Sequence, residues 1–351
     1  MKKRQLDLLK CPWCNAHLSL TERKTRTLTY PKEEEEKARE YCRKKKIHFS
    51  LLAHDVVEGT LKCKCRSFQI VEGIPRMTPE LSKSATDVMQ AKTSSSFGFQ
   101  WNQFREMYPQ YKQNFLNYLG KIKPSFFKAK LVLDAGCGFG RHSYYAAEFG
   151  AETVAFDLSE AVTSAQKNLE KFPLTHVVQG DIYNLPFEKK FDFIFSIGVL
   201  HHLPNPQAGF KSLVRLMNKN TSIFAWVYGK EGRWFKLTVM EGIHSLAKHL
   251  PHRLLYLFCF FPAILYQVVN LLYLFLKKIG INALAERLPF TYYAQFPFRV
   301  KHADSFDFLS TQVNNYYTKK EFEKWFTDAL LKRISITDFN KKSWRGFAYR
   351  S

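Results

Sequence analysis

Residues 131–140 read Leu-Val-Leu-Asp-Ala-Gly-Cys-Gly-Phe-Gly, and this stretch decides the fold. Its first three residues are apolar and predict a short buried strand that ends at Asp134. Glycine follows at three alternate positions, Gly136, Gly138 and Gly140. Because glycine has no side chain, the backbone there can turn sharply and approach a bound molecule closely. A helical pattern follows over residues 141–149. Strand, glycine loop and helix in this order predict the opening unit of a nucleotide-binding α/β sheet.

The spacing of the glycines separates two classes of cofactor. The dinucleotide pattern G-x-G-x-x-G, started at Gly136, needs glycine at a position where the chain has Arg141. The pattern here is D-x-G-x-G-x-G, which resembles motif I of the class I S-adenosylmethionine-dependent methyltransferases. S-adenosylmethionine carries an amino-acid tail and a sulfonium rather than a pyrophosphate. Bare backbone beside a carboxylate suits both groups.

Three further strands follow in the order that this family implies. Residues 152–156 form a predicted strand that ends in Asp157, at the distance from the glycine loop where an acidic residue grips ribose hydroxyls. A strand over 176–179 leads to Asp181 and Ile182, which the resemblance places at the adenine ring. A strand over 191–198 runs into the sequence Val-Leu-His-His-Leu-Pro, which resembles the segment after strand four in the methyltransferase type 11 group.

The resemblance covers about residues 127–230 and implies a set of cofactor contacts. These are Asp134, Gly136, Gly138, Gly140, Asp157, Leu158, Asp181, Ile182 and Ser196. Alternative roles remain for the acidic residues, since Asp134 could cap the glycine loop and Asp157 could begin a helix.

The rest of the chain completes the sheet. A helix over 206–217, a strand over 222–228 and strands over 334–338 and 346–349 are predicted, with a capping box formed by Thr318 and Glu321. The predicted fold is therefore an α/β, Rossmann-like, seven-stranded class I methyltransferase sheet. An N-terminal β-rich zinc ribbon precedes it, and a helical insertion separates strands five and six.

Four of the seven cysteines form two close pairs near the start of the chain. Cys11 and Cys14 make a C-x-x-C knuckle, and Cys63 and Cys65 make a tighter C-x-C. Four thiolates on two turns predict a tetrahedral, structural Zn²⁺ site, although C-x-x-C is also a redox motif and Cys42 or His17 could replace one ligand. The flanking sequences resemble the small zinc-ribbon proteins that activate tRNA methyltransferases.

Three domains are predicted from these patterns. Residues 1–80 are the zinc-ribbon module with a charged helical insertion over 31–48, and residues 81–126 are a linker and helical lid. Residues 79–96 are polar and indicate the linker, whereas the aromatic stretch from Phe97 onward indicates either a lid or a packing strap. Residues 127–351 are the methyltransferase domain.

An insertion over 231–315 contains the uncharged stretch 254–276, which is long enough to cross a bilayer. A single crossing conflicts with the sheet, because strands five and six must lie on the same side. Pro262 indicates two shorter helices around a kink. Three interpretations remain: a buried cap over the substrate cleft, a membrane-surface anchor and a true span.

The chain has 351 residues and a formal net charge of +22, which favours anionic partners such as nucleic acid or lipid. The basic residues are spread along the chain rather than gathered in one arm, and this distribution weakens the prediction of nucleic-acid binding. The N-terminus shows no apolar segment typical of export, so a cytoplasmic location is predicted, with a peripheral position at the inner membrane face as the extension of the anchor hypothesis.

Two adjacent histidines follow strand four, at the edge where open α/β sheets bind ligands. Either His202 or His201 could remove a proton from the methyl acceptor, or simply shape the pocket. The predicted function is methyl transfer from S-adenosylmethionine to a small-molecule, lipid-like acceptor. The alternative is an RNA methyltransferase acting on ribosomal or transfer RNA.

Overall fold

The computed structural model describes residues 1–79, 84–188, 191–231, 242, 245, 247, 249–340 and 342–350. A single mixed sheet runs through this part of the chain in the order β1-β2-β3-β4-β7-β6-β5-β8-β9-β11-β10. The strands are β1 Ser19–Thr27, β2 His54–Lys62, β3 Ser67–Val71, β4 Ile74–Met77, β5 Leu131–Ala135, β6 Glu152–Asp157, β7 Thr175–Gly180, β8 Phe193–Ile197, β9 Ser222–Tyr228, β10 Lys332–Phe339 and β11 Ser343–Tyr349.

The seven strands β5 to β11 form the predicted methyltransferase sheet. Strands β5 to β9 lie parallel to one another, and β11 is antiparallel to both β9 and β10. Each of β5, β7 and β8 is buried along its whole length, as strands covered by helices on both faces must be. The fold class predicted from the sequence is confirmed, and the sheet is larger than the predicted seven strands.

The helices are α1 Lys32–Lys45, α2 Ser50–Ala53, α3 Ala85–Gln103, α4 Gln110–Leu119, α5 Arg141–Glu148, α6 Val162–Leu169, α7 Pro206–Arg215, α8 His252–Phe258, α9 Phe260–Lys278, α10 Asn282–Ala285, α11 Phe298–Ser310 and α12 Lys319–Asp328. The predicted capping box at Thr318 and Glu321 begins α12. The predicted polar linker over 79–96 is wrong for its larger part, because α3 begins at Ala85. Residues 80–83 lie outside the described residues.

The N-terminal strands continue the methyltransferase sheet. Strand β4 pairs in parallel with β7, where Arg76 lies opposite Gln179. The buried Nζ of Lys2 donates hydrogen bonds to the carbonyl oxygens of Phe172, Pro173 and Thr175. Those three carbonyls lie between the end of α6 and the start of β7. The first 79 residues are therefore joined to the methyltransferase core by backbone pairing as well as by side chains.

The insertion forms a helical layer over the carboxyl edge of the sheet. Two helices, α8 and α9, meet at Cys259, so the predicted interruption lies three residues before Pro262. Helix α9 packs against α11 and the 3₁₀ turn Thr291–Gln295 through one face, with Asn270 donating to the carbonyl oxygen of Phe290 at 2.9 Å. By length and composition, the segment His252–Lys278 could cross a membrane.

Candidate active site

A cavity of about 650 Å³ opens at the carboxyl edge of the parallel strands. Its floor is formed by the loops that follow β5, β6, β7 and β8, and its roof by α3 and the insertion. Pockets of 300–1,000 Å³ are typical of small-molecule sites. The cavity brings together six of the predicted cofactor contacts, which are Gly136, Gly138, Asp157, Leu158, Asp181 and Ile182.

The backbone conformation of the loop requires glycine at three positions. All three of its glycines have positive φ, with +93° at Gly136, +53° at Gly138 and +84° at Gly140. A Cβ atom at Gly136 would lie 2.2 Å from Cγ2 of Val199, and one at Gly138 would lie 3.2 Å from Cδ1 of Trp101. The loop therefore presents bare backbone to the cavity, as a close approach of a ligand requires.

Asp157 ties the second strand to this loop. Its Oδ2 accepts a hydrogen bond from the backbone N–H of Gly138 at 2.9 Å, and its Oδ1 accepts from the N–H and hydroxyl of Ser159 at 2.8 and 2.7 Å. The pKa of Asp157 is raised, because the effect of burial outweighs that of these hydrogen bonds, which lower the pKa. The carboxylate is held rigidly at the cavity wall, where a ribose hydroxyl pair can donate to its remaining lone pairs.

Asp181 lies at the end of the third strand and contacts α3. Its Oδ1 accepts from Nε2 of Gln90 at 2.9 Å and from the N–H of Tyr183 at 3.0 Å. Ile182 is almost fully buried and lines the same wall. A carboxylate beside an apolar side chain fits a purine amino group and its ring face.

Three predicted cofactor contacts do not line the cavity. Asp134 is fully buried behind the loop, where its Oδ2 accepts from the hydroxyl of Ser143 at 2.6 Å, and burial raises its pKa to about 7. Gly140 begins α5 and packs against Ala165. The Ser196 hydroxyl donates to the carbonyl oxygen of Ala135 at 2.8 Å. The structure gives these three residues positions that support the loop from behind.

The two histidines occupy different environments. His202 lines the cavity, and its Nδ1 lies 2.9 Å from the carbonyl oxygen of Val313. A carbonyl oxygen only accepts, so Nδ1 carries the proton and Nε2 is the basic atom of the neutral ring.

His201 is fully buried outside the cavity lining, with its ring 3.9 Å from that of Tyr228. Neither of its ring nitrogens has a hydrogen-bond partner among the described residues. Burial lowers its pKa well below the ordinary value. The prediction that His201 could be the base therefore finds no support in the geometry.

The second half of the cavity is aromatic and belongs to the insertion. Its lining includes Tyr228 from β9 and Tyr266 from α9, together with Phe290, Tyr293 and Phe296. Tyr266 packs on Phe290 with ring centroids 4.3 Å apart. The inner face of the insertion therefore lines the cleft, but its outer side chains are exposed rather than buried as the interpretation of a buried cap expects.

Sequence reasoning missed three charged residues in this half. Asp304 and Asp307 on α11 line the cavity, and burial raises the pKa of each to about 6. Arg141, at the first turn of α5, lines it too and lies 5.5 Å from the ring of Trp101. The i, i+3 spacing of the two aspartates is a signal in the sequence, but it identifies a helix face only after the helix is placed.

The four predicted metal ligands lie together. The Sγ atoms of Cys11, Cys14, Cys63 and Cys65 are all within 4.8 Å of one another. The Sγ of Cys65 lies 3.5 Å from that of Cys11 and 3.4 Å from that of Cys63, and the Sγ of Cys14 lies 3.7 Å from that of Cys63. Bonds of about 2.3 Å in a tetrahedron place sulfurs about 3.8 Å apart, so this donor set fits Zn²⁺.

The matching family model is described as a methyltransferase domain and covers residues 133–225. An uncharacterised protein of Synechococcus sp. is 34% identical over 124 residues, which cover 33% of this chain and 29% of that protein. A ubiquinone biosynthesis O-methyltransferase of Coxiella burnetii is 27% identical over 166 residues, covering 39% of this chain and 71% of the enzyme. The chain thus spans less than a third of the Synechococcus relative.

Solved structures with a similar arrangement are more remote in sequence. Magnesium protoporphyrin IX methyltransferase from Synechocystis PCC 6803, with bound S-adenosylhomocysteine, has a TM-score of 0.44 and 17% identity, covering 76% of this chain and 100% of that one. Human N-acetylserotonin methyltransferase, in complex with S-adenosylmethionine, has a TM-score of 0.44 and 10% identity, covering 78% and 60%.

The family match identifies a methyltransferase domain within residues 133–225 of the chain. The family match spans the glycine loop, Asp157, Asp181 and both histidines, which is the part of the chain that builds the cavity floor. The chain contains an S-adenosylmethionine-dependent methyltransferase domain with the class I strand order, and the resemblance seen in the sequence is confirmed.

Proposed function

We propose that the protein transfers a methyl group from S-adenosylmethionine to a small, lipid-like acceptor with an aromatic or apolar body. One observation carries the proposal: the glycine loop, His202 and the aromatic cap line a single cavity. A donor held by the loop and an acceptor held under the cap would therefore meet in one enclosed space. Enclosure and alignment supply most of what a methyl transfer needs.

We assign the cofactor half to the six residues at the strand ends. S-adenosylmethionine supplies a methyl group already activated on a sulfonium. The carboxylates of Asp157 and Asp181 accept hydrogen bonds from the nucleoside, and the amides of the loop contact its amino-acid tail. Gly136 and Gly138 have no Cβ atom, so their backbone can approach the cofactor closely. A Cβ at Gly136 would overlap Val199, and one at Gly138 would lie at contact distance from Trp101.

His202 is the group we propose as the general base. Its Nδ1–H donates to Val313, which fixes the ring so that Nε2 can take a proton from an acceptor hydroxyl. The relatives named as O-methyltransferases support a hydroxyl as the reacting group. Asp304 and Asp307 lie in the same cavity and can accept hydrogen bonds from polar groups elsewhere on the acceptor.

We infer that the four cysteines hold a structural Zn²⁺ ion. Four thiolates leave no open coordination position, so the ion would stabilise two turns and take no part in methyl transfer. Such a site suits the N-terminal strands, whose buried apolar residues share one cluster with the methyltransferase core and whose turns need a separate constraint. The reaction we propose takes place in the cytoplasm, with the enzyme peripheral at the inner face of the membrane.

The RNA alternative requires an open, basic groove to admit a polynucleotide. The acceptor half is instead roofed by Tyr266, Phe290 and Tyr293, which favour a small apolar acceptor, and it contains two carboxylates, which would repel the phosphates of RNA. A labelling experiment separates the two functions. Purified protein is incubated with methyl-labelled S-adenosylmethionine and, in parallel, with a membrane lipid extract or total RNA.

We expect label in the solvent-extractable fraction and none in RNA, and less label from Asp157→Asn at a limiting concentration of S-adenosylmethionine. Label in RNA alone would establish the alternative function. Label in neither fraction, in an enzyme that binds the cofactor, would overturn the lipid-like acceptor.

A further inference from the structure

The outer face of the cap is apolar and exposed to solvent. Most of the exposed large apolar side chains in the described part of the chain lie between residues 254 and 284. On α9 they recur at positions 261, 265, 268, 272 and 275, which is the spacing of one helix face. Phe261 is 73% exposed and Val268 57% exposed. A soluble protein rarely leaves so long an apolar patch uncovered.

The opposite face of α9 is committed to the protein. Ala263 and Asn270 are buried, and Tyr266 packs against Phe290 and Tyr293. A helix crossing a bilayer would have to give up these contacts, including the hydrogen bond from Asn270 to the carbonyl oxygen of Phe290. The packing therefore fixes α9 on the surface of the cap with one face outward.

The charges around this face are complementary to an anionic surface. Residues 251–285 contain no acidic side chain. Lys278 follows Phe275 by three residues and Leu271 by seven, so it continues the exposed face, and Arg253 stands one turn before Leu257. Lys277 is paired with Glu286 at 2.8 Å. An apolar stripe with cations at both ends is typical of helices that lie in the headgroup region of a membrane.

We propose that the exposed face of α8 and α9 docks onto an anionic lipid bilayer, with the helices parallel to its surface. The apolar side chains enter the acyl boundary, while Arg253 and Lys278 contact lipid phosphates. The same helix carries Tyr266 in the acceptor half of the cavity. If the proposed function holds, docking brings the helix that lines the acceptor half of the cavity to the source of a lipid-like acceptor.

Vesicle co-sedimentation tests the docking directly. Wild-type protein is mixed with vesicles of phosphatidylcholine, with or without phosphatidylglycerol, and compared with the double variant Leu265→Asp/Val268→Asp. Leu330→Asp is the matched control, because Leu330 is 81% exposed and follows α12 on another part of the surface. Thermal melting and binding of S-adenosylhomocysteine show that each variant is folded.

We expect the wild type and Leu330→Asp to sediment with anionic vesicles. The double variant should lose at least about tenfold in partition, since two exposed apolar side chains that would enter the acyl boundary become charged. Wild type that stays in the supernatant, or a double variant that still sediments, would overturn the proposal. A dimer that the double variant dissociates, without vesicle binding, would assign the face to a second copy. Cell membranes that retain the wild type after alkaline carbonate extraction would show a span instead.

The labelling assay in detergent keeps the two proposals apart. Methyl transfer to solubilised lipid without vesicle binding would refute the docking proposal and leave the proposed function intact. Vesicle binding without methyl transfer would remove only the proposed acceptor.

Discussion

The backbone N–H of Gly138 donates a hydrogen bond to Oδ2 of Asp157 at 2.9 Å, which joins the glycine loop after β5 to the end of β6. This contact orients the carboxylate and the loop relative to each other before any ligand binds. Both residues line the cavity. Backbone hydrogen bonds from Gly136 and Cys137 to the carbonyl oxygen of Phe156 reinforce the same junction, so the proposed cofactor site is organised before a ligand binds.

Asp157→Asn keeps an oxygen that can accept from Gly138 but removes the negative charge. We expect the affinity for S-adenosylmethionine to fall by about 10- to 100-fold, because a hydrogen bond to a charged group contributes about 1.5–3 kcal/mol. Isothermal calorimetry measures the change. Asp7→Asn, an exposed carboxylate far from the cavity in sequence, is the control. An unchanged affinity would remove Asp157 from the site.

Gly136→Ala tests the close approach of the loop to Val199. The positive φ and the overlap of the new Cβ with the Val199 side chain should destabilise the fold and lower the affinity for the cofactor. Gly280→Ala is a matched control, since Gly280 has φ of +83° and a Cβ there meets nothing within 4 Å.

Chemical denaturation should give a loss of about 1 kcal/mol for Gly280→Ala, from backbone strain alone, and a clearly larger loss for Gly136→Ala. Equal losses in the two variants would show that Val199 does not constrain the loop.

His202→Ala should separate catalysis from binding. We expect the methyl-transfer rate on the labelled lipid fraction to fall by about 10²- to 10⁴-fold, as the loss of a general base predicts, with an unchanged affinity for S-adenosylmethionine. A rate within threefold of the wild type would contradict the assignment of His202 as the base.

His201→Leu should behave differently, because His201 is buried and its ring nitrogens are unpaired among the described residues. Its pKa in the folded protein lies well below its ordinary value of 6.5. Below pH 6.5 the imidazole of His201 binds a proton in the unfolded chain but stays neutral in the folded protein. The free energy of unfolding is therefore highest above pH 6.5 and decreases as the pH falls below that value. Removing the histidine should reduce that loss.

Denaturation at two pH values checks this sign. The free energy of unfolding of His201→Leu, relative to that of the wild type, should be about 1.4 kcal/mol higher at pH 5.5 than at pH 7.5. This value follows because pH 5.5 is one unit below the ordinary histidine pKa. The methyl-transfer rate should remain near that of the wild type. The same stability difference at both pH values would show that folding does not shift the pKa of His201.

Cys65→Ser should remove zinc from the N-terminal site. The Sγ of Cys65 lies near those of Cys11 and Cys63, so the variant breaks a four-thiolate set. Metal analysis should find one zinc per wild-type chain and much less in the variant. Cys42→Ala is the control, because Cys42 is buried on α1 among Ala38, Tyr41 and Leu52. Equal metal contents in the three proteins would refute the zinc site.

The sequence predicts the parts of the fold that depend on local pattern. Apolar runs identify β5, β8 and β9, and the side chains of Thr318 and Glu321 form the predicted capping box at the start of α12. The alternate glycines identify a loop that has positive φ at each of them. The cysteine pairs meet as their spacing predicts, because two tight turns present two thiols each.

Other features depend on tertiary contacts that a pattern does not contain. Residues 85–96 include three successive serines, which are weak helix formers, yet they belong to α3. Buried hydrogen bonds support the helix, from the Ser96 hydroxyl to the carbonyl oxygen of Ser310 and from Gln100 to that of Ala303. The pairing of β4 with β7 is equally invisible in the sequence, because it joins segments a hundred residues apart.

The cavity at the strand ends is the proposed binding site of S-adenosylmethionine. Calorimetric titration of the purified protein with S-adenosylmethionine, and with its demethylated product, measures this directly. We expect saturable binding of both ligands with one molecule per chain, weakened by Asp157→Asn. Absence of heat with either ligand, together with binding of a nicotinamide or flavin dinucleotide, would contradict it.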